Sequence, residues 1–337
     1  MGVRAGAALT GRRAIVTGSG GQDGSYLAEL LLERGYDVAG VVRRRDAANE
    51  NLAHVRDKLE LIEVDLLDQD ALVSLLRTNA PDEIYNLASP SFVPKSWREP
   101  VAVAEFAAVG VTSLLEAIRA VDPAIRIFQA SSSEVFGEPL EVPQSESTPL
   151  APVTPYGVAK AYGQFIVGAY RRRYGLHASC GILYNHESPR RPVDFLPSKV
   201  AHAAAAISLG LEHELTLGDL DAERDWGYAG DYVEAMWRML QQDEPRDYVI
   251  ATGELHSVRE LTAVAFAHVG LDWHEHVRVD DALKRGQVEL HHLVGDASRA
   301  RRELDWRPTI GFEELVHVLV DAARSRLAEG SQGITTS

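Results

Sequence analysis

The sequence predicts an α/β protein built on a doubly wound parallel sheet, with a smaller α/β lobe toward the C-terminus. Three observations predict it. A strand, a glycine-rich loop and a helix follow one another at 13–34, and strands and helices then alternate as far as residue 183, whereas this alternation weakens beyond residue 185. Alternation of this kind is typical of parallel sheets with helices on both faces. A chain of 337 residues is long enough for one such sheet and a second lobe.

The first strand, Arg13–Thr17, leads into a loop with glycines at 18, 21 and 24, and an apolar helical face follows at 25–34. Glycines at this spacing permit a tight turn and a close approach of a pyrophosphate to the helix N-terminus, where amides and the helix dipole favour an anion. The pattern predicts a dinucleotide-binding turn of a Rossmann-type domain. An ordinary glycine turn remains the alternative.

The second strand, Asp37–Val42, ends at Arg43, Arg44 and Arg45. A site that prefers NAD carries an acidic residue here for the ribose 2′-hydroxyl, whereas guanidinium groups suit a 2′-phosphate. The arginines therefore favour NADP, and Arg43 is nearest to the strand end. A solvated run of charges is the alternative, and the sequence does not separate the three arginines.

The remaining elements follow from hydrophobic periodicity. The predicted strands lie at 59–64, 83–87, 125–130, 177–183 and 248–251. The predicted helices lie at 70–77, 111–121, 156–174, 195–209, 231–240, 257–269 and 312–327, and Ser257 with Glu260 forms a capping box. We expect an NADP-binding domain at 1–184, a mainly substrate-binding lobe at 185–328 from which some segments return to the sheet, and a disordered tail at 329–337.

Composition excludes several classes of protein. A formal charge of −15 argues against nucleic acid or an anionic membrane as the main partner. The single cysteine, Cys180, forms no intramolecular disulfide, and its apolar surroundings predict a small buried side chain. We expect no membrane span, no signal peptide and a cytoplasmic protein. No metal site is expected, because neither His274-Glu275-His276 nor His291-His292 has a coherent partner set.

The candidate catalytic residues follow the strand at 125–130. Ser132 and Glu134 lie in the turn after this strand, and a proline-rich loop separates them from Tyr156 and Lys160. The i, i+4 spacing of the last two places a phenol and an ammonium group on one helical face, one turn apart. A positive charge beside a phenol favours the phenolate, so the pair can act in acid–base chemistry.

Further segments make the chain resemble the GDP-mannose 4,6-dehydratases of the extended short-chain dehydrogenase/reductase superfamily. The resemblance spans roughly residues 13–320. It rests on TGSGGQDGSYLAE at 17–29, YNLA at 85–88, QASSSE at 129–134, PYG at 155–157, NHESPRR at 185–191, RDWG at 224–227, DYVEAMW at 231–237, DYVIATG at 247–253 and HSVRE at 256–260.

The resemblance implies oxidation of a nucleotide-hexose at C4 with NADP, elimination of the 6-hydroxyl and return of the hydride to C6. Tyr156 would be the base at the 4-hydroxyl if Lys160 and the nicotinamide charge lower its pKa, and Ser132 would hydrogen-bond the C4 oxygen. Glu134 would remove the C5 proton. Related dehydratases of dTDP-glucose carry Asp where this chain has Ser133, so the resemblance implies that Glu134 serves as both base and acid.

The resemblance also implies the binding residues. For the cofactor they are Gly18, Gly21, Gln22, Asp23, Gly24, Arg43, Asp65, Leu66, Leu87, Ala88, Tyr156, Lys160, His186 and Arg191. For the nucleotide-sugar substrate they are Ser91, Asn185, Lys199, Arg224 and Arg285. Arginine and lysine at such positions are charge-assisted donors to phosphate.

Several positions depart from the family pattern. Pro90-Ser91-Phe92 replaces Gln-Ser-His, and Ser198 replaces an arginine near the expected sugar-nucleotide site. Asp46 to Glu50 replaces a Ser/Thr-rich loop that the family uses in tetramers, so we expect a homo-oligomer that is a dimer or a tetramer.

The alternatives to a 4,6-dehydratase activity are those of a 4-epimerase, a uronate decarboxylase or a 5,6-dehydratase. A silent NADP-binding regulator would need the Tyr156–Lys160 pair to be lost.

Overall fold

The computed structural model describes residues 11–42, 50–283 and 292–334. The candidate residues Arg43, Arg44, Arg45 and Arg285 lie outside these ranges. The strands are β1 (Arg13–Thr17), β2 (Asp37–Val42), β3 (Glu60–Glu63), β4 (Glu83–Asn86), β5 (Arg126–Ala130), β6 (Ala178–Leu183), β7 (Asn185–Glu187), β8 (Leu215–Leu217), β9 (Glu223–Arg224), β10 (Trp226–Tyr228), β11 (Tyr248–Ile250), β12 (His256–Ser257) and β13 (Val277–Val279).

Helices connect these strands, and most of them begin or end within two residues of the predicted limits. They are α1 (Gln22–Glu33), α2 (Gln69–Asn79), α3 (Val93–Ser96), α4 (Pro100–Ala104), α5 (Gly110–Val121), α6 (Pro155–Tyr174), α7 (Leu196–Ser208), α8 (Ala229–Leu240), α9 (Val258–His268), α10 (Trp273–His276), α11 (Ser298–Glu303) and α12 (Phe312–Ile334). The capping box predicted at Ser257 and Glu260 is present at the start of α9.

Seven strands form one parallel sheet in the order β11-β6-β5-β4-β1-β2-β3. The connections run outward in opposite directions from β1 and β4, so the strand order reverses between these two strands. All seven carboxyl ends lie at one edge, and ligands of such sheets bind at this edge near the reversal point. The predicted doubly wound parallel sheet is therefore confirmed.

Two apolar layers cover the faces of the sheet. On one face α1, α8 and the segment around α11 bury Leu27, Met236 and Trp306 among the side chains of the strands. On the other face α2, α5 and α6 bury a second cluster that includes Ile118 and Cys180. Cys180 is a free thiol that is fully buried, so its predicted role as a small buried side chain is confirmed.

The second lobe is built around α7, α9 and α12, whose apolar residues form a separate cluster that includes Phe266. Short strand pairs, β8 with β13 and β9 with β12, complete it. The chain returns from this lobe to the sheet, because β11 pairs with β6 and α8 packs on α1. A third short pair, β7 with β10, joins the segment after β6 to the segment before α8.

Two regions differ from the sequence-based expectations. The last helix runs to Ile334, so the part of the expected tail at 329–334 is helical. The segment before α5 contains α3, α4 and a π-helical turn at Glu105–Val109, none of which we predicted. We assigned no element to this segment, in which Pro94 and Pro100 lie in first helical turns, where the missing amide breaks no hydrogen bond.

The stretch Pro100–Val121 also corrects the expectation that no segment has the length and composition of a membrane span. This helical run of 22 residues has a mean hydropathy of 1.8 in its most apolar window. Half of that window is buried in the fold. A core helix of a soluble protein passes the same test, and the packing of α5 against α2 and α6 accounts for the apolar composition.

Candidate active site

The glycine loop between β1 and α1 fits the pyrophosphate of a dinucleotide. A Cβ atom on Gly24 would lie 2.2 Å from the carbonyl oxygen of Gly18, so this close turn excludes any larger residue. Gly21 is the N-cap of α1, and within the described part of the chain no side chain caps this helix. The first amides of α1 therefore have no capping acceptor, and a helix N-terminus in this condition favours an anion.

A series of hydrogen-bonded side chains links the ends of β1, β4 and β5 beside this loop. Thr17 Oγ1 donates to Asn86 Oδ1 at 2.6 Å, and Asn86 Nδ2 donates to Gln129 Oε1 at 2.7 Å. The amides of Leu87 and Ala88 donate to Thr17 Oγ1 at 3.1 and 3.2 Å. Two of the predicted cofactor residues, Leu87 and Ala88, are thereby held against the glycine loop. Asp65 and Leu66 follow the end of β3 at the same edge of the sheet.

The NHESPRR segment docks on the start of α1. Gln22 Nε2 donates to the carbonyl oxygen of His186 at 3.0 Å, and Ser188 Oγ donates to Gln22 Oε1 at 2.9 Å. His186 Nε2 lies 2.9 Å from Asp23 Oδ2. Burial opposes ionisation of Asp23, but the charges of His186 and Arg191 lower its pKa to about 2. The sequence distance between these partners exceeds 160 residues, yet they form one buried unit.

Arg191 is held at this unit by two neighbours. Its Nε atom lies 3.3 Å from Glu187 Oε2, and its guanidinium carbon lies 3.7 Å from the ring centroid of Phe195. Glu187 is only 2% exposed, and burial raises its pKa, an effect that the charge of Arg191 partly offsets. The guanidinium is thus fixed on one side by a carboxylate and on the other by an aromatic face.

The four candidate catalytic residues lie together at the ends of β5 and α6. Ser132 follows β5 and accepts a hydrogen bond from the Glu134 amide at 3.3 Å. Thr154 Oγ1 donates to Glu134 Oε2 at 3.2 Å. A Cβ atom on Gly157 would lie 2.5 Å from the Glu134 carbonyl oxygen, so the glycine after Tyr156 lets the start of α6 contact the Glu134 turn.

Tyr156 and Lys160 are both buried on the inner face of α6. Burial raises the pKa of Tyr156 to about 12, although a hydrogen bond with Ser132 and the charge of Arg191 act in the opposite direction. Burial lowers the pKa of Lys160 to about 8. Lys160 Nζ donates to the Ala130 carbonyl oxygen at 2.9 Å and lies 5.6 Å from the ring centroid of Tyr156.

This electrostatic arrangement is that of the protein without its cofactor. The expectation that Lys160 and the nicotinamide charge together lower the pKa of Tyr156 stays a prediction, and in the protein alone burial outweighs the favourable charges. The ammonium group of Lys160 donates to the Ala130 carbonyl oxygen, and the charge of Arg191 favours the phenolate form of Tyr156. The phenol therefore stays protonated at neutral pH until a further positive charge enters the site.

The substrate candidates are more dispersed. The β7–β10 pair places Asn185 opposite Trp226, two residues after Arg224, and Arg224 Nη1 donates to the Glu223 carbonyl oxygen at 2.6 Å. Lys199 is exposed near the start of α7, where its Nζ atom donates to the Thr216 carbonyl oxygen at 2.8 Å. Ser91 is exposed in the loop after β4.

Two residues of the site, Thr154 and Glu187, were not among the candidates predicted from the sequence. Thr154 is the N-cap of α6 and also donates to Glu134. Its position immediately before a proline at the first helical position was a signal for the cap, but not for the second contact. Glu187 lies within NHESPRR, and the i, i+4 spacing to Arg191 indicated the pair. Across the described ranges, no group of three or more His, Cys, Asp or Glu could hold a metal.

The fold and this site define a class of protein. A parallel sheet with a glycine loop at its reversal point, a Tyr156–Lys160 pair on the helix after β5 and a second lobe above the strand ends are the features of a nucleotide-sugar-modifying enzyme of the extended short-chain dehydrogenase/reductase superfamily. Solved structures agree. The dTDP-glucose 4,6-dehydratase of Streptomyces venezuelae, with NAD and TYD bound, matches with a TM-score of 0.83 and 27% identity, over 94% of this chain and 98% of that one.

A second solved structure, the UDP-glucose 4-epimerase of Thermotoga maritima with UDP-glucose, matches with a TM-score of 0.82 and 25% identity over 94% of this chain and 99% of that one. An NAD(P) cofactor is typical of this superfamily. The structural matches therefore support the class, but they include both dehydratases and epimerases.

Sequence comparison is more specific. The family described as GDP-mannose 4,6 dehydratase matches residues 15–319. The GDP-mannose 4,6 dehydratase 1 of Arabidopsis thaliana is 46% identical over 321 residues, 91% of this chain and 88% of that protein. The human GDP-mannose 4,6 dehydratase is 44% identical over 337 residues, 92% of this chain and 90% of that protein. The chain belongs to the GDP-mannose 4,6-dehydratase family, as the sequence motifs predicted.

Proposed function

We propose that this protein is an NADP-dependent GDP-mannose 4,6-dehydratase, a hydro-lyase that converts GDP-mannose to GDP-4-keto-6-deoxymannose. The observation that carries the proposal is the grouping of Ser132, Glu134, Tyr156 and Lys160 at the strand edge beside the glycine loop. A phenol and a carboxylate in one site suit a reaction that oxidises a carbinol and also removes a proton from the adjacent carbon.

The cofactor-binding residues are the glycine loop, the Asp23–His186 pair and Arg191. A bound NADP supplies the hydride acceptor for C4 and the hydride donor for C6, so that no net reduction occurs. The uncapped start of α1 would hold the pyrophosphate. The preference for NADP rests on Arg43, Arg44 and Arg45, which lie outside the described residues, and remains part of this proposal.

Tyr156 would take the proton from the 4-hydroxyl as the C4 ketone forms. Ser132, which is hydrogen-bonded to the phenol, would donate to the C4 oxygen and hold it beside Tyr156. Because the buried phenol ionises with difficulty in the protein alone, the positive nicotinamide ring and Arg191 would provide the charge that favours phenolate. The base would thus become active only when the cofactor is present.

Glu134 would then remove the C5 proton, which the new ketone makes acidic. It would also protonate the 6-hydroxyl as this group leaves as water, because Ser133 offers no carboxyl group for that step. Ser133 is buried and only 3% exposed. The hydrogen bond from Thr154 to one carboxylate oxygen would hold the Glu134 side chain in place as it carries the proton between C5 and the leaving hydroxyl.

The nucleotide part of the substrate would lie on the second lobe. Asn185, Lys199 and Arg224, with Arg285 and Ser91, are the proposed contacts to the sugar nucleotide. Lys199 and Arg224 now donate to backbone carbonyl oxygens, and a diphosphate offers each of them a charged acceptor instead.

We also propose that the protein is a homo-oligomer. Val158, Tyr162 and Phe165 share one face of α6 and are between 44% and 64% exposed, and Val101 of α4 is 70% exposed. The Tyr162 hydroxyl is 3.0 Å from Thr112 Oγ1, so this face of α6 lies beside α5. Monomers rarely expose such a continuous apolar surface, and a second copy of the same helices would cover it symmetrically.

Light scattering tests this state. We expect a mass of two or four chains of 36.9 kDa, and we expect Phe165→Glu to shift the mass toward one chain because it places a charge in the apolar face. Leu211→Glu, at an exposed residue of the second lobe, is the matched control. A wild-type mass of one chain would contradict the proposal.

The test of the activity is a reaction in deuterium oxide with GDP-mannose and catalytic amounts of NADP. We expect a product one water lighter, with deuterium at C5, and no accumulation of reduced cofactor, because the proton taken from C5 leaves with the water, the hydride returns to C6 and C5 then takes a deuteron from the solvent. Mass spectrometry and proton NMR of the product measure both features.

A parallel panel of UDP-, CDP- and dTDP-sugars separates the alternatives. Product without the C5 label, an epimer of unchanged mass, or faster turnover of another nucleotide sugar would each contradict the proposal. Faster turnover with NAD than with NADP would contradict only its cofactor part. We further propose cytoplasmic activity, to be checked by cell fractionation, where enrichment in a membrane or secreted fraction would be contrary evidence.

A further inference from the structure

An aromatic contact joins the two lobes beside the proposed catalytic residues. Phe92 follows β4 of the sheet domain, and Phe195 immediately precedes α7 of the second lobe. Their ring centroids lie 5.4 Å apart at an interplanar angle of 71°, which is an edge-to-face pair. Both side chains are only half-buried, so the pair retains apolar surface for another group.

Each member of the pair is tied to a part of the proposed site. Val93, the residue after Phe92, packs against the small apolar cluster that contains Tyr156 and Ala159. Phe195 stacks on Arg191, whose charge lowers the pKa of Tyr156 against the effect of burial. The Phe195 carbonyl accepts the first hydrogen bond of α7, from the Lys199 amide at 2.8 Å. The two rings therefore connect the apolar cluster around Tyr156 with the start of α7, which carries Lys199.

We propose that the Phe92–Phe195 pair closes the sugar end of the site and holds the hexose through the whole reaction. The inference rests on the proposed function and adds to it two positioning residues. Phe92 stands at a position where the resemblance gives histidine, so the apolar closure is a feature of this chain's own sequence.

The chemistry gives such a closure a purpose. Loss of the 6-hydroxyl leaves an unsaturated ketone whose C6 is electrophilic, and the cofactor stays reduced until the hydride returns to C6. Water that reaches C6 would add back, and a sugar that escapes at this point would leave the cofactor reduced. Two phenyl rings offer no nucleophile, exclude water and can pack against the C–H face of a hexose.

Binding provides the first test. In the Glu134→Gln background, Phe92→Ala is expected to weaken the binding of GDP-mannose to the NADPH complex, in which C4 cannot be oxidised, by about 2- to 12-fold, the range for an aromatic pair. Calorimetry measures this affinity and, separately, the affinity for NADP, which Phe92→Ala should leave unchanged. Phe195→Ala should weaken both, because it also removes the ring beneath Arg191. Leu140→Ala, at an 87% exposed residue, is the control that should change neither.

Turnover provides the second test, with Glu134 intact. Wild-type protein should leave the cofactor oxidised when GDP-mannose is exhausted, whereas Phe92→Ala should strand part of it as NADPH, measured by the absorbance of the reduced nicotinamide. A residue needed only for folding would lower the melting temperature without stranding reduced cofactor.

Two results for Phe92→Ala would contradict the proposal that the aromatic pair closes the site. Unchanged sugar affinity together with no stranded NADPH in Phe92→Ala would overturn the closure, and so would an equal loss of NADP and sugar affinity. If the wild-type protein binds no GDP-mannose, the proposed substrate fails, and the same variants then test the closure with the nucleotide sugar that the panel identifies.

Discussion

Glu134→Gln is expected to abolish formation of the 4-keto-6-deoxy product while the protein still binds its cofactor. The amide keeps the size of the side chain and can still accept the hydrogen bond from Thr154, but it cannot take the C5 proton or return a proton to the 6-hydroxyl. Loss of a positioned acid or base costs about 10²- to 10⁴-fold in rate, and Glu134 would fill both roles, so we expect the upper end of this range.

The reaction should stop at a defined point. C4 oxidation does not require Glu134, so a single turnover with stoichiometric NADP should yield reduced cofactor and a 4-keto sugar that keeps its 6-hydroxyl. Rapid-mixing absorbance and mass spectrometry follow the two products. Glu141→Gln, in the exposed loop after the catalytic turn, is the control and should retain activity. Normal product formation by Glu134→Gln would exclude the assigned role.

Tyr156→Phe is the second large expected effect, and it should block the reaction before any cofactor is reduced. We expect a loss of about 10²- to 10⁴-fold in kcat, because the variant has no group to take the proton of the 4-hydroxyl. Tyr162→Phe removes an exposed hydroxyl from the same helix and should keep most of the activity. Rapid cofactor reduction in Tyr156→Phe would assign the base elsewhere.

The pH profile gives this prediction a direction. A base acts in its deprotonated form, and burial places the pKa of Tyr156 near about 12 in the protein alone. Activity at limiting substrate should therefore rise with pH through the neutral range, with its apparent pKa moved below that of the free protein by the bound cofactor. Lys160, whose pKa burial lowers to about 8, would lose its charge as the pH rises further. A profile that falls through neutral pH would contradict a phenolate base.

Much of the fold could be predicted because local patterns and tertiary packing agree. The limits of β1 and β2 match the structure, since each is an apolar run bounded by turn residues. The segment at 93–109 could not be predicted, because its prolines indicate a loop and its helical turns depend on packing against α6. The short strands of the second lobe have two or three residues each, which is too few for a period to be recognised.

The candidate site also has features that could be predicted from the sequence and features that could not. The residues Glu134, Tyr156 and Lys160 could be found from their spacing and from the motifs around them. The partner of Lys160 could not, because spacing along a helix indicates which side chains share a face and not which carbonyl lies within reach. The effect of burial on the pKa of Tyr156 could not be predicted either, because it depends on side chains from four separate segments of the chain.

The contacts of Gln22 with His186 and Ser188 have a consequence for how the molecule can be divided. A fragment that ends at residue 184 would contain the glycine loop and six strands, but it would lack the groups that fasten Gln22 and pair with Asp23. It would also lose the edge strand β11 and the helix that packs on α1. We therefore expect cofactor affinity to depend on the segment at 185–191 as well as on the glycine loop, and a transfer of the nucleotide-binding half to another protein would have to include that segment.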